Sequence, residues 1–260
     1  MLTERSARVV AAVKLHRHVG RRRAENFLVE GPNLIEAALR RGLAREIFAT
    51  EAAAQRHTGL LGGSGAPVHL VTDRAMKALS DTVTPAGLVA VCRLPAPGLD
   101  EVLAGAPGLV AVAVGVGEPG NAGTVIRIAD AMGADAVILT GHSVDPYNGK
   151  CLRASAGSIF AVPVVVAADV GAVVGALRGA GLQVLATTLS GELSLDEAEP
   201  LLGRPTAWLF GPESHGLPAD AAAAADHRVS IPMSGAAESL NVAAAAAICL
   251  YQSARARRLG

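Results

Sequence analysis

The stretch Leu109-Val110-Ala111-Val112-Ala113-Val114-Gly115-Val116-Gly117-Glu118-Pro119-Gly120-Asn121 decides the fold. Its opening is a continuous apolar run, the pattern of a strand buried on both faces rather than one with a wet side. A helix is expected from about residue 122 to 132, and strands then alternate with helices. The strands fall at 136–139, 162–166, 183–186, 207–210 and 228–231, the helices at 150–160, 170–179 and 239–257, with a short alanine-rich helix before the last strand. Such alternation implies a mostly parallel sheet covered by helices on both faces. Ligands of these sheets sit outside the carboxyl ends of the strands, so the loops after Val116, Thr187, Phe210 and Ile231 are the places to look.

Upstream, residues 27–30, 46–49, 68–71 and 88–92 read as strands, and 33–41 and 73–79 as helices, enough for a small α/β unit. Pro95, Pro97 and Pro107 mark a linker. The expected organisation is residues 1–94 as a first domain with a basic arm, 95–107 as linker, and 108–260 as a second domain.

Composition narrows the function class. The chain is 51% apolar, which excludes disorder. Its longest apolar run, residues 242–251, is too short and too alanine-rich to cross a bilayer. Cys92, Cys151 and Cys249 lie far apart with no CxxC pair, and His142, His215 and His227 have no ligand spacing. Neither a disulfide scaffold nor a bound metal is expected, and a reducing cytoplasm is. Net charge is zero, yet it is unevenly spread. Residues 1–107 hold 14 basic and 10 acidic side chains, residues 108–250 hold 6 and 13, and the last ten add Arg255, Arg257 and Arg258. Most of the first excess lies in residues 1–23, with Arg5, Arg8, Lys14, Arg17, Arg21, Arg22 and Arg23 against Glu4 alone. A basic arm on an acidic body suggests contact with a polyanion.

Gly115, Gly117 and Gly120 match the GxGxxG dinucleotide fingerprint. Two features count against it. Pro119 has no N–H where a pyrophosphate needs a donor, and the strand at 136–139 is not followed by the acidic residue that would hold a ribose. In the same loop Asn121 is suited to cap the helix, and Arg127 lies one to two turns in, flanked by Val125, Ile126, Ile128 and Ala129. An arginine in that setting calls for an anion or a carboxylate. The other two loops read Gly211-Pro212-Glu213-Ser214-His215-Gly216-Leu217-Pro218 and Pro232-Met233-Ser234-Gly235-Ala236-Ala237-Glu238-Ser239-Leu240-Asn241. Ser239 is placed to cap the last helix, leaving Asn241 in its first turn, where an amide has no intrinsic advantage.

These three loops resemble the motifs of the SpoU (TrmH) family of S-adenosylmethionine-dependent RNA 2′-O-ribose methyltransferases, within the SPOUT superfamily. The likeness rests on Glu118-Pro119-Gly120-Asn121-Ala122-Gly123 with Arg127, on residues 209–217, and on residues 231–235 with 238–242. Residues 153–160, 27–31 and 79–87 also resemble family stretches, the last two those of an N-terminal substrate-binding domain. The resemblance implies a parallel-sheet SPOUT domain with a deep trefoil knot, a homodimer with its site near the interface, and a ribosomal or transfer RNA substrate. It implies that S-adenosylmethionine is held by backbone groups near Leu209, Gly211, Ile231, Met233 and Leu240. Asn121, Arg127, Glu213, Ser239 and Asn241 match the functional polar set.

A guanidinium keeps its proton in proteins, so Arg127 reads as a ligand for the neighbouring phosphate and for the developing alkoxide rather than as a base. Asn121 then orients the ribose or Arg127, Ser239 and Asn241 hold loops and substrate, and Glu213 fixes Arg127 or a loop amide. Large-subunit ribosomal RNA is the leading substrate, with transfer RNA as the alternative. A non-catalytic RNA-binding protein on the same fold and a nicotinamide dehydrogenase built on the Gly115 loop are the competing classes.

Overall fold

Every residue from Leu109 to Val114 is buried, as a run without polar alternation requires. The computed structural model describes residues 1–259. In chain order the first elements are α1 (Ala7–Val13), α2 (His18–Ala24), β1 (Asn26–Glu30), α3 (Pro32–Arg40), β2 (Ala44–Ala49), α4 (Glu51–Arg56), α5 (Thr58–Gly62), β3 (Val68–Leu70), α6 (Asp73–Leu79) and β4 (Leu88–Arg93). Then come α7 (Leu99–Ala104), β5 (Leu109–Val114), α8 (Pro119–Ala131), β6 (Ala136–Thr140), α9 (Gly149–Ser155), β7 (Val164–Val166), α10 (Val170–Gly179) and β8 (Gln183–Thr187). The chain closes with β9 (Leu193–Ser194), α11 (Glu199–Leu202), β10 (Thr206–Phe210), α12 (Ala219–Ala223), β11 (His227–Ser230) and α13 (Val242–Leu259).

Two compact units result. Met1–Pro95 and Tyr147–Phe160 form one, and Ala96–Pro146 with Ala161–Gly260 the other. The stretch expected as a linker carries α7 at its centre. Tyr147–Phe160 follows β6 in sequence yet packs with the first unit, where Tyr147 and Phe160 lie against Phe27 at ring distances of 5.0 and 6.2 Å.

The second unit is a seven-stranded sheet in the order β7-β6-β5-β10-β8-β11-β9, with every pairing parallel. Side chains alternate across it with the strand period of two. Val110, Val112 and Val114 of β5 and Leu209 of β10 enter one core with Val173, Val174 and Leu177 of α10. Trp208 and Phe210 carry the opposite register, toward α13. The indole N–H of Trp208, fully buried, donates to Ser253 Oγ of α13 at 2.9 Å. α13 packs also on α8, which closes this side of the sheet. The chain runs outward from β5 to β6 and β7 and later returns on its other side with β10, so the strand order reverses beside β5. Crevices at such reversals bind ligands.

The first unit is a four-stranded sheet, β1-β4-β2-β3, antiparallel except for the β2–β3 pair. Residues 1–23 are not an extended arm. They fold as α1, a 3₁₀ turn and most of α2, with Val9, Ala12 and Leu15 buried among Phe48, Met76, Leu79 and Val89. The three-residue spacing of those apolar side chains sets the helical face, and the surrounding arginines masked it in the sequence. Arg21 is itself buried, and its Nη1 donates to the carbonyls of Leu15 and His16 at 2.9 Å each.

Candidate active site

Four loops leave the carboxyl ends of β5, β8, β10 and β11, as the parallel order demands. The Gly115 loop does not offer a phosphate cradle. The Gly115 amide donates to Thr140 O at 2.9 Å, the Val116 amide to Ser143 Oγ at 3.0 Å, and the Gly120 amide to Glu118 Oε1 at 3.3 Å. With those donors occupied, the GxGxxG match has no physical content here. Glu118 rather than Asn121 is the cap of α8, Pro119 takes the position where a missing N–H costs nothing, and Asn121 lies within the first turn.

There Asn121 meets two residues far away in sequence. Its Nδ2 donates to Glu213 Oε1 at 2.9 Å, and its Oδ1 accepts from Asn241 Nδ2 at 3.1 Å. Asn241 Nδ2 also donates to Glu213 Oε1 at 2.7 Å, and the Val242 amide reaches the same oxygen at 3.2 Å. Asn241 Oδ1 accepts from the amides of Ala243 and Ala244 at 2.9 and 3.4 Å. Asn241, not Ser239, is therefore the cap of α13. The carboxylate of Glu213 sits against the amino end of that long helix, where the unpaired amides and the helix dipole favour negative charge. Glu213 thus holds two amides and a helix terminus together and does not touch Arg127.

Beside this cluster lies a cavity of about 430 Å³. Gly211, Glu213, Ile231, Met233, Ser239 and Leu240 line it, together with Leu217, Val242 and Thr187-Thr188-Leu189. Its size suits a nucleoside, and its walls are the apolar side chains and main chain that a purine requires. Gly211 is obligatory. A Cβ there would sit 2.5 Å from the Gly216 carbonyl carbon, because the loop folds back on its own start. Thr188 Oγ1 is buried without a hydrogen-bond partner, a donor and acceptor left over at the cavity wall. These residues fit an adenosine-bearing cofactor. Leu209 stands apart from this lining. It is fully buried in β10, and its carbonyl accepts from Thr187 Oγ1 at 2.9 Å. Thr187, Thr188 and Leu189 carry no motif of their own in the sequence, although the loop after Thr187 is one of the four marked by its position.

Arg127 is exposed on α8, does not line the cavity, and has no ion pair or hydrogen bond among the described residues. Its apolar neighbours Val125, Ile126 and Ala129 turn inward on the helix, so they do not bury the guanidinium, and of the anion or carboxylate expected beside it no carboxylate is in contact among the described residues. Ser239 is exposed at the cavity rim. Neither Cys92 nor Cys249 competes as a nucleophile. Burial pushes Cys92 up to about 12 and raises Cys249 as well, so both stay protonated at neutral pH. Among the described residues no group of His, Cys, Asp and Glu is placed to hold a metal ion.

A ligand cavity at the carboxyl ends of parallel strands, lined by a carboxylate that holds two amides beside it, defines an α/β protein with a nucleotide-sized site. Residues 108–251 match the model of the SpoU rRNA methylase family, and residues 7–90 that of the MRM3-like substrate binding domain. The chain belongs to the SpoU rRNA methylase family. It is 36% identical to the 23S rRNA (guanosine(2553)-2′-O)-methyltransferase RlmP of Bacillus subtilis, over 92% of either chain. It is 35% identical to a 23S rRNA (uridine(2479)-2′-O)-methyltransferase of Streptomyces viridochromogenes, over 74% of this chain and 68% of the other. The crystal structure of the SpoU methyltransferase AviRb of that organism, in complex with AdoMet, superposes with a TM-score of 0.85 at 32% identity, covering 98% of this chain and all of the other.

Proposed function

We propose that the protein transfers a methyl group from S-adenosylmethionine to a ribose 2′-OH of structured RNA, with 23S rRNA as the substrate. The observation that carries this reading is the cavity at the ends of β8, β10 and β11, lined by Glu213, whose carboxylate holds Asn121 and Asn241 beside it. Two relatives that align over 92% and 74% of this chain are named for 23S rRNA, which supports that substrate, while others of similar extent are named for tRNA or rRNA without distinction.

The cofactor supplies an electrophilic methyl group on a sulfonium. Gly211, Ile231, Met233 and Leu240 hold its adenosine, with Thr188 added from the structure, and Leu209 supports them from beneath. Glu213 fixes Asn121 and Asn241 in one orientation. Asn241, fully engaged, holds the start of α13, and the remaining N–H of Asn121 meets the ribose without reorganising, which is where positioning lowers a barrier. The 2′-OH must lose its proton as its oxygen takes the methyl group. Arg127 cannot accept that proton. Free of internal partners, it binds the neighbouring phosphate and stabilises the alkoxide, and a phosphate oxygen takes the proton. Its absence from the cavity lining supports a role toward the RNA rather than toward the cofactor. A homodimer belongs to the same reading. It is supported by an apolar strip on α13, where Tyr251 is 48% exposed next to the partly exposed Ile248. No helix is long and apolar enough to cross a membrane among the described residues, and we place the protein in the cytoplasm with its RNA.

Arg127→Ala and Arg127→Lys test the mechanism. Both should bind S-adenosylmethionine at parental affinity while turnover falls by about a hundredfold or more, the usual cost of removing a group that stabilises the transition state. Parental turnover in both variants would remove Arg127 from the reaction. Mapping 2′-O-methyl groups in cellular RNA with and without the gene then identifies the nucleotide.

A further inference from the structure

Residues 80–87 join α6 to β4 without regular structure, yet they are pinned at both ends. Glu30, the last residue of β1, accepts Ser80 Oγ on both carboxylate oxygens at 2.8 and 2.9 Å. Its Oε1 also accepts Thr82 Oγ1 at 3.0 Å and the Ala86 amide at 3.2 Å. Between them Asp81 pairs with Arg153, and the Thr82 amide donates back to Ser80 Oγ at 3.0 Å. At the far end Gly87 has φ +79°, and a Cβ there would lie 2.8 Å from that of Ala53. What this frame holds out is Val83, which is 100% exposed, followed by Thr84 and Pro85. The hydrogen bonds that shape the loop come from Ser80, Thr82, Glu30 and the backbone. Nothing in its geometry requires an apolar side chain at the tip.

Val83 and Pro85 form one wall of a groove of about 410 Å³. Arg56, at the end of α4, and Lys77 of α6 stand in the same groove, and neither has a partner among the described residues. Asp73 is the single acid in the lining. A rigid apolar tip beside two unpaired cations suits a ligand that offers an apolar face and closely spaced phosphates. An unstacked nucleotide in an RNA loop or bulge has both. An acidic peptide or a second copy of this chain matches less well, since neither offers phosphates to two adjacent cations.

We propose that residues 80–87 are an RNA-reading loop, in which Val83 and Pro85 pack on a splayed-out nucleotide while Arg56 and Lys77 hold its flanking phosphates. The inference rests on the RNA methyltransferase reading and assigns the substrate contact within the first unit. Direct contact of a fully exposed side chain leaves folding untouched when that side chain is replaced, so unchanged Tm validates each variant.

The test is methyl transfer by the full-length protein to 23S rRNA taken from a strain lacking the gene. Val83→Asp puts a negative charge where RNA would pack, and should raise the KM for RNA by about tenfold. Arg56→Gln with Lys77→Gln should raise it similarly and lower the log–log salt slope by about one to two, since each cation neutralises one phosphate. In both, kcat at saturating RNA and the Kd for S-adenosylmethionine should match the parent. A parental KM in Val83→Asp overturns the loop assignment while the function reading stands. If that unchanged KM comes with altered sedimentation, the groove belongs to a second copy and the proposal again fails. A parent that binds S-adenosylmethionine but methylates no RNA refutes the function reading and this inference with it.

Discussion

Charge is put to two uses in this molecule, and the two units show one each most plainly. In the second unit the site carboxylate is saturated: Glu213 takes hydrogen bonds from Asn121, Asn241 and the first amide of α13. In the first, exposed cations stand without partners, Arg22 and Arg23 on α2 as well as Arg56 and Lys77. A group that must hold a geometry is best satisfied internally. A group that must bind a polyanion is best left to water until the ligand arrives, because the counterions that the polyanion then releases drive association. The zero net charge of the chain averages over these two designs and describes neither.

Gly211→Ala should break the ordered side of this contrast most severely. The added methyl group meets backbone at 2.5 Å, and backbone can yield only by opening the loop. Overpacking of this kind costs about 1–3 kcal/mol, so S-adenosylmethionine affinity should drop by tenfold or more in calorimetry. Parental affinity would show that the loop is softer than its packing suggests. A smaller effect sharpens the other side. Arg22→Gln with Arg23→Gln should reduce the salt slope of RNA binding by about one to two at unchanged Tm. Deleting residues 1–23 would not test the same point, since it removes Val9, Ala12 and Leu15 from the core.

The smallest effect concerns Asp226, which ties β8 to the turn before β11. Burial pushes its carboxyl up, but the Val184 amide and the Arg178 guanidinium outweigh this and leave it below the ordinary carboxylate range. A carboxyl lowered in the folded state stabilises the protein at pH above its unfolded pKa, and that stabilisation disappears as pH falls through the folded value. Asp226→Asn should therefore lower Tm at neutral pH, by no more than about 3 °C for so exposed a pair, and the deficit should close in acid. A deficit that persists in acid would mean that shape, not charge, is what the side chain contributes.

How much of this could be read beforehand follows from where the information lies. The run from Leu109 to Val114 declared a doubly buried strand, and the alternation after it declared the parallel sheet. From those two facts the loops holding the site followed by position alone. Helix starts did not. Ser239 and Asn241 are both good caps, and the choice between them is made by Glu213, which lies 28 residues from Asn241 and appears beside it only in the fold. Likewise Asn121 gave up the cap to Glu118 because its amide is engaged by the same distant carboxylate. Residues 1–23 misled through composition. Seven basic side chains drew attention from three apolar ones that decide whether the segment folds. Tyr147–Phe160 reads locally as part of the second unit, and nothing in its own sequence announces that Tyr147 and Phe160 flank Phe27.

Trp208 has a consequence of its own. It is the one tryptophan in the chain, fully buried, with its indole hydrogen-bonded to Ser253 of α13 and its strand leading directly into the Gly211 loop. The protein thus carries a built-in fluorophore between the cofactor loop and the helix that Asn241 caps. Its emission reports solvent entry into that layer without any label, so ligand docking and the loosening of α13 can be followed separately from events in the first unit, which contains no tryptophan.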